Sequence, residues 1–229
     1  MASKRTLFSG PLSLFGAKVD IALREKQLSC EVVMVPFSEE NGYSPMNDTV
    51  LRVNPKKQVP VLIDGKVELF DSMQIFEYLE DAYPQIPLWP REHIARAEAR
   101  QLELMADEVY FAHVIPLFSL ENERNGDVAQ TAFAALRRFH LEMEKRLTDQ
   151  PSHANQTFLT GEFTYADIAF FMALLFADRM GCPLTTDTPK LIDWRNRMAA
   201  RKSIQDTLKP MEAYLKSVSR CFPEWVYQR

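Results

Sequence analysis

The hydrophobic period of this chain changes once, at the proline-rich stretch Pro84–Pro90, and the change commits it to two architectures joined in series. Upstream, short β-type runs alternate with helical patterns. Thr6–Ser9 reads as a strand that leads through Gly10–Ser13 into a helix with Val19, Ala22 and Leu23 on one face. Cys30–Val35 is a second β-rich run, followed by a polar loop and a short helix near Met46–Val53. Val59–Ile63 and Val67–Phe70 flank Asp64-Gly65, which is the pattern of a hairpin. From Ser72 onward, Ile75, Tyr78, Leu79 and Ala82 recur at helical spacing. The order β-α-β-α-β-β-α predicts a mixed sheet with helices packed on it.

Beyond Arg91 the strand signal disappears. Leu102, Met105, Ala106 and Val109 form one helical stripe; Leu136, Phe139, Met143 and Leu147 form another; Ile204, Leu208, Met211 and Leu215 form the last. Between them, Ile168, Phe171, Met172 and Leu175 lie in a segment so apolar that it belongs at the centre of a bundle. Breaks are expected at Asn125-Gly126, Pro151–Gln156 and Gly181–Pro183. The organisation predicted is an α/β domain over residues 1–84, a linker over 85–90 and an all-helical domain over 91–229.

The 229 residues, 46% hydrophobic and 25% charged, suffice to bury a sizeable core. With 27 basic and 31 acidic residues the net charge is -4, which argues against a nucleic-acid surface. No apolar run is long enough to span a bilayer, and the charged start Met1–Arg5 meets Ser9, Gly10 and Pro11 instead of a signal-peptide core. Three cysteines without a CxxC pair suit a reducing compartment, so a cytoplasmic location is expected.

Several chemistries lack their signatures. The chain has seven glycines and neither GxGxxG nor GxxxxGK[ST], so it has no backbone cradle for a nucleotide. His93, His113, His140 and His153 are scattered, and no metal site is expected. No serine sits in a GxSxG elbow. Cys30 lies in a predicted strand and reads as a small core residue.

Three short segments of the first domain belong together: Ser9-Gly10-Pro11-Leu12-Ser13 between strand and helix, Asn54-Pro55-Lys56-Lys57-Gln58-Val59-Pro60 running into a strand, and Asp71-Ser72 at a helix start. Their order and spacing resemble the glutathione transferase family, in its serine-type (theta, zeta and phi-like) classes. The resemblance continues through Leu159-Thr160-Gly161-Glu162-Phe163-Thr164-Tyr165-Ala166-Asp167-Ile168-Ala169, similar to the start of the family's bundle-core helix. It implies an α/β thioredoxin-like N-terminal domain followed by an all-α helical bundle. Within that last segment, Thr164 and Asp167 form a capping-box pattern, which serves stability and not chemistry.

The resemblance also implies roles. Ser13 aligns with the catalytic serine, whose hydroxyl donates to the sulfur of glutathione; the helix N-terminus behind it adds positive potential, and both favour thiolate. Lowering a free thiol from a pKa near 8.5 by roughly two units makes thiolate dominant at neutral pH. The residue types also allow Ser13 to be a plain helix cap, and Ser9 is a second hydroxyl nearby. The Val59-Pro60 bond matches one that is cis in the family, where the backbone of the residue before the proline pairs with the tripeptide. Ser72 matches the residue that takes the γ-glutamyl carboxylate at a helix start, with Asp71 near the α-amine; both residue types also suit simple capping. Gln58 matches a peptide contact, while Lys57 stands where a glycine is common. Phe15 stands where some members carry cysteine, which argues against variants that rely on a thiol.

The implied function is transfer of glutathione, as co-substrate, to a small apolar electrophile. Leu12, Phe15, Tyr110, Phe111, His113 and Val114 are candidates for lining the electrophile pocket between the domains, although aromatic residues at helical spacing also serve as core. Phe222, Trp225 and Tyr227 either fold over that pocket or pack on the outside of the bundle. A homodimer is the expected assembly. Two alternatives come from other classes. The opening Thr6-Leu7-Phe8-Ser9-Gly10-Pro11 is similar to the stringent starvation protein A group, non-catalytic interaction proteins that bind RNA polymerase and generally lack the hydroxyl that Ser13 supplies here. A carrier of apolar ligands is the other.

Overall fold

The computed structural model describes residues 5–120, 123–149 and 158–227. Met1–Lys4, the expected break at Pro151–Gln156 and His153 lie outside the described residues. In chain order the elements are β1 (Arg5–Ser9), α1 (Leu14–Glu25), β2 (Glu31–Met34), β3 (Phe37–Ser38), β4 (Gly42–Tyr43), α2 (Asp48–Val53), β5 (Val61–Asp64), β6 (Val67–Phe70) and α3 (Ser72–Ala82). There follow α4 (His93–Leu104), a π-helical stretch Met105–Tyr110, α5 (Phe111–Val114), a 3-10 turn Ile115–Phe118, α6 (Asp127–Thr148), α7 (Tyr165–Arg179), α8 (Pro189–Ala199) and α9 (Lys202–Ser217). A last 3-10 turn covers Glu224–Val226.

Two compact units result. The first contains the residues up to Pro87 together with Lys202–Arg220; the second contains Leu88–Arg201 together with the residues from Cys221 onward. In the first, the strands run in the order β2-β1-β5-β6, with β1 parallel to β2 and the other pairs antiparallel. The parallel pair needs a crossover, and α1 supplies it. The β5–β6 hairpin turns at Gly65, whose φ of 61° is easy only for a residue without Cβ.

Side chains alternate across a strand, so neighbours in sequence feed opposite faces of the sheet. Leu7 and Leu62 join Val19, Leu23, Ile75 and Leu79 on one face, beneath α1 and α3. Phe8 and Val61 join Val50 of α2 on the other.

Between β2 and α2 the sequence composition predicts a polar loop; the structure has a two-stranded hairpin there, with Phe37 opposite Tyr43. Its signal was Asn41-Gly42, with Gly42 at φ 61°, but two residues per strand are too few to show a period of two.

The last helix follows the helical run in sequence yet groups with the α/β unit in space. It buries the predicted stripe Ile204, Leu208, Met211 and Leu215. Thr207 Oγ1 donates to Asp20 Oδ2 at 2.8 Å, and Ser203 Oγ donates to Glu25. This second cover explains why α1 is buried at every position from Gly16 to Leu23.

In the helical unit, α7 is buried from Tyr165 to Ala177. Asp167 at its start is fully buried: Oδ2 accepts from the Thr164 amide at 2.9 Å, and Oδ1 accepts from the Leu159 amide and from Trp194 Nε1. Burial raises its pKa and these donors oppose the shift. Glu144 on α6 reaches the amides of Lys190 and Leu191 at 3.1 and 2.8 Å, satisfying the first turn of α8 from another helix. The stripe expected through Val109 changes register. A π-helical turn holds more residues than an α turn, so Tyr110 is fully buried while Val109 is 47% exposed. At the C-terminal end, Trp225 packs on this unit's helices: Nε1 donates to Asp178 Oδ2 at 2.9 Å, and its ring lies against Phe171 and under the Arg195 guanidinium.

Candidate functional site

The sheet register brings the three motif segments together. Phe8 pairs with Val61, and Val61 pairs with Phe70. The turn after β1, the loop before β5 and the helix start after β6 therefore leave the sheet at the same end of three adjacent strands. Residues far apart in sequence become neighbours because of this pairing alone.

Ser13 is the N-cap of α1. With φ −86° and ψ 104° it stays extended, and its Oγ accepts from the Gly16 amide at 3.0 Å. Its own amide donates to the Gly10 carbonyl at 3.1 Å, closing the turn. A hydroxyl that accepts one bond still has its proton to donate, so capping and donation to a ligand are compatible. Ser9 is also buried. A Cβ on Gly16 would stand 2.1 Å from Ser9 Oγ and 2.9 Å from Ser13 Oγ, so both hydroxyls converge on a position of α1 that has no side chain.

Asn54 organises the second segment. Its side chain donates to the Gln58 carbonyl at 2.6 Å and accepts from the Lys56 amide at 2.9 Å, while its carbonyl accepts from Lys57. Lys57 is held at φ 53°, a left-handed conformation that disfavours side chains and suits glycine. The side chains of Lys57 and Gln58 are exposed, and the Val59-Pro60 bond is cis.

Asp71 adopts φ 74°, and its Oδ1 accepts from the Met73 and Gln74 amides at 3.1 and 3.3 Å. That capping leaves Ser72, the first residue of α3, buried with a hydroxyl that makes no hydrogen bond among the described residues.

The other predicted residues are divided between the two units. Leu12 and Phe15 are half-buried beside Ser13. Tyr110 is taken up by the interior of the helical unit: its hydroxyl meets His140 Nε2 at 2.6 Å, and its ring packs on Phe139 and Phe170. Phe111 and Val114 are buried as well, whereas His113 is half-buried. Burial pushes the Cys30 thiol up to about 11, where it is a poor nucleophile. Neither Asn54's role in the loop nor the place of Tyr43, whose ring lies on Gly10, shows in the motif pattern; the Asn41-Gly42 turn is the available signal for the latter.

Residues 7–87 match the family model for the N-terminal domain of glutathione S-transferase, and residues 105–202 match the model for its C-terminal domain. The chain belongs to the glutathione transferase superfamily. It is similar to a stringent starvation protein A homolog of Coxiella burnetii, at 26% identity over 93% of this chain and 95% of the relative. It is also similar to glutathione S-transferase U25 of Arabidopsis thaliana, at 25% identity over 90% and 89% of the two chains. Among solved structures, a glutathione S-transferase from the Antarctic clam Laternula elliptica superposes with a TM-score of 0.79 at 25% identity, covering 92% of this chain and 94% of that one. The superfamily's fold, a small mixed-sheet domain and a helical domain, is the one described above.

Proposed function

We propose that the protein is a glutathione transferase in which the Ser13 hydroxyl stabilises the thiolate of bound glutathione. The observation that carries this reading is Ser13 itself, buried at the start of α1, accepting from Gly16 and keeping its proton for a ligand sulfur. The N-terminal end of α1 adds positive potential in the same direction. Ser72 supports the reading as a hydroxyl at the start of α3, without a hydrogen bond among the described residues and suited to a carboxylate. Leu12 and Phe15 offer apolar surface beside the sulfur for an electrophile. Glutathione is the nucleophile throughout, and serine only stabilises its charged form.

The similarity to a stringent starvation protein A homolog favours a second reading, a non-catalytic interaction protein built on the same fold. Titration with glutathione followed by ultraviolet absorbance of the bound sulfur separates the two. The transferase reading expects binding, with thiolate present at neutral pH. Ser13→Ala is then expected to lower turnover at least about tenfold and raise the bound thiol's pKa by about one unit, with glutathione affinity kept within a few-fold. Full activity in that variant removes the role assigned to Ser13. No binding at millimolar glutathione rejects the transferase reading in favour of the interaction protein.

A further inference from the structure

Two phenol hydroxyls in the α/β unit are buried with no hydrogen-bond partner among the described residues: Tyr43 on β4 and Tyr214 on α9. Phe37 on β3 sits between the two rings, its centroid 4.9 Å from that of Tyr43 and 5.5 Å from that of Tyr214. Each hydroxyl has given up water without gaining a partner. A side chain of the same shape without the hydroxyl is better off in such a place, by roughly tenfold in equilibrium terms.

Tyr43 also occupies a specific place. A Cβ on Gly10 would stand 2.0 Å from its Cε1 and 2.9 Å from its hydroxyl oxygen, so position 10 is bare because this ring lies on it. Gly10 begins the turn that ends at Ser13. Burial raises the pKa of the Tyr43 hydroxyl, opposed by the Leu12 backbone, which lies near it without a hydrogen bond of acceptable geometry. The hairpin that carries it is lightly held. β3 and β4 pair with each other and not with the four-stranded sheet. Beyond the aromatic contacts, Glu39 near the tip meets Arg220 at 3.2 Å, a pair with side chains 58% and 41% exposed that contributes little.

We infer that the β3–β4 hairpin is a gate over the β1–α1 turn and that Tyr43 is its working residue. Shut, the ring covers Gly10 and the hydroxyl is unsatisfied. Open, the turn leading to Ser13 is uncovered and the Tyr43 hydroxyl is free to donate to an oxygen acceptor of the entering ligand. The identity of that ligand as glutathione rests on the function proposed above; the gate rests on the hairpin alone.

Amide hydrogen exchange on the full chain without ligand tests the gate. Tyr43→Phe keeps the ring on Gly10 and deletes the orphan hydroxyl, so amides of residues 37–43 are expected to exchange about tenfold more slowly than in the wild type. Amides of the four-stranded sheet are expected to stay as they were. Equal hairpin exchange in the two proteins overturns the gate. Glutathione titration then tests the donor role: the variant is expected to bind at least about fivefold more weakly and to associate more slowly. Unchanged affinity overturns that role. Failure of both proteins to bind glutathione overturns the transferase reading and the donor role with it, while the exchange result still decides the gate.

Discussion

At Lys57 the backbone φ of 53° places a lysine where a side chain costs energy, and among the described residues no ion pair or hydrogen bond of the exposed side chain offsets it. A left-handed conformation disfavours an L-residue by roughly 1–2 kcal/mol, and glycine gives back about 0.5–1 kcal/mol in the unfolded chain. Lys57→Gly is therefore expected to range from neutral to about 1 kcal/mol more stable, as read from the urea midpoint at constant slope. A clear loss of stability would show that the lysine makes a contact that outweighs the strain. Asp71, at φ 74°, differs: its carboxylate caps α3, so its conformation is tied to a bond that glycine lacks. The sequence marks both positions by their place in the motif. It does not show their dihedral angles, which the surrounding loop imposes.

Among the elements, the stretch from α4 to α5 departs most from its sequence pattern. Ideal α spacing brings Val109 to the core; the π-helical turn brings Tyr110, and with it a buried hydrogen bond to His140. Burial, with Arg137 nearby, lowers the His140 pKa to about 4 from the ordinary histidine value near 6.5. The folded protein therefore binds this proton less readily than the unfolded chain does. Its contribution is fully present above about pH 6.5 and is lost as pH falls towards 4, a change of roughly 3 kcal/mol. His140→Gln, which keeps a partner for Tyr110, is expected to flatten stability in that window, as measured by urea unfolding across pH. An unchanged pH profile would place the acid sensitivity on other groups. By contrast, α1, α3, β5 and β6 were legible from period and turn residues, since local spacing and an Asp-Gly turn carry the information.

At the scale of the whole molecule, α9 shows how far chain order and spatial grouping can diverge. Thr207 donates to the buried carboxylate of Asp20, which also accepts from Arg24. Thr207→Val keeps the shape and removes that donor, so a loss of about 1–3 kcal/mol is expected in urea unfolding, with Thr207→Ser recovering most of it. Equal stability of all three proteins would mean that α9 is held by its apolar face alone. The sequence by itself determined the order of elements, the change of architecture at the prolines, the apolar faces and the three motif segments. Those follow from short-range patterns of side-chain size, polarity and turn chemistry. Tertiary structure alone decided that α9 covers α1, that Glu144 caps a helix other than its own, and that Tyr43 lies on Gly10. Each depends on strand register and on packing between segments distant in sequence, and no local pattern records which surfaces will meet.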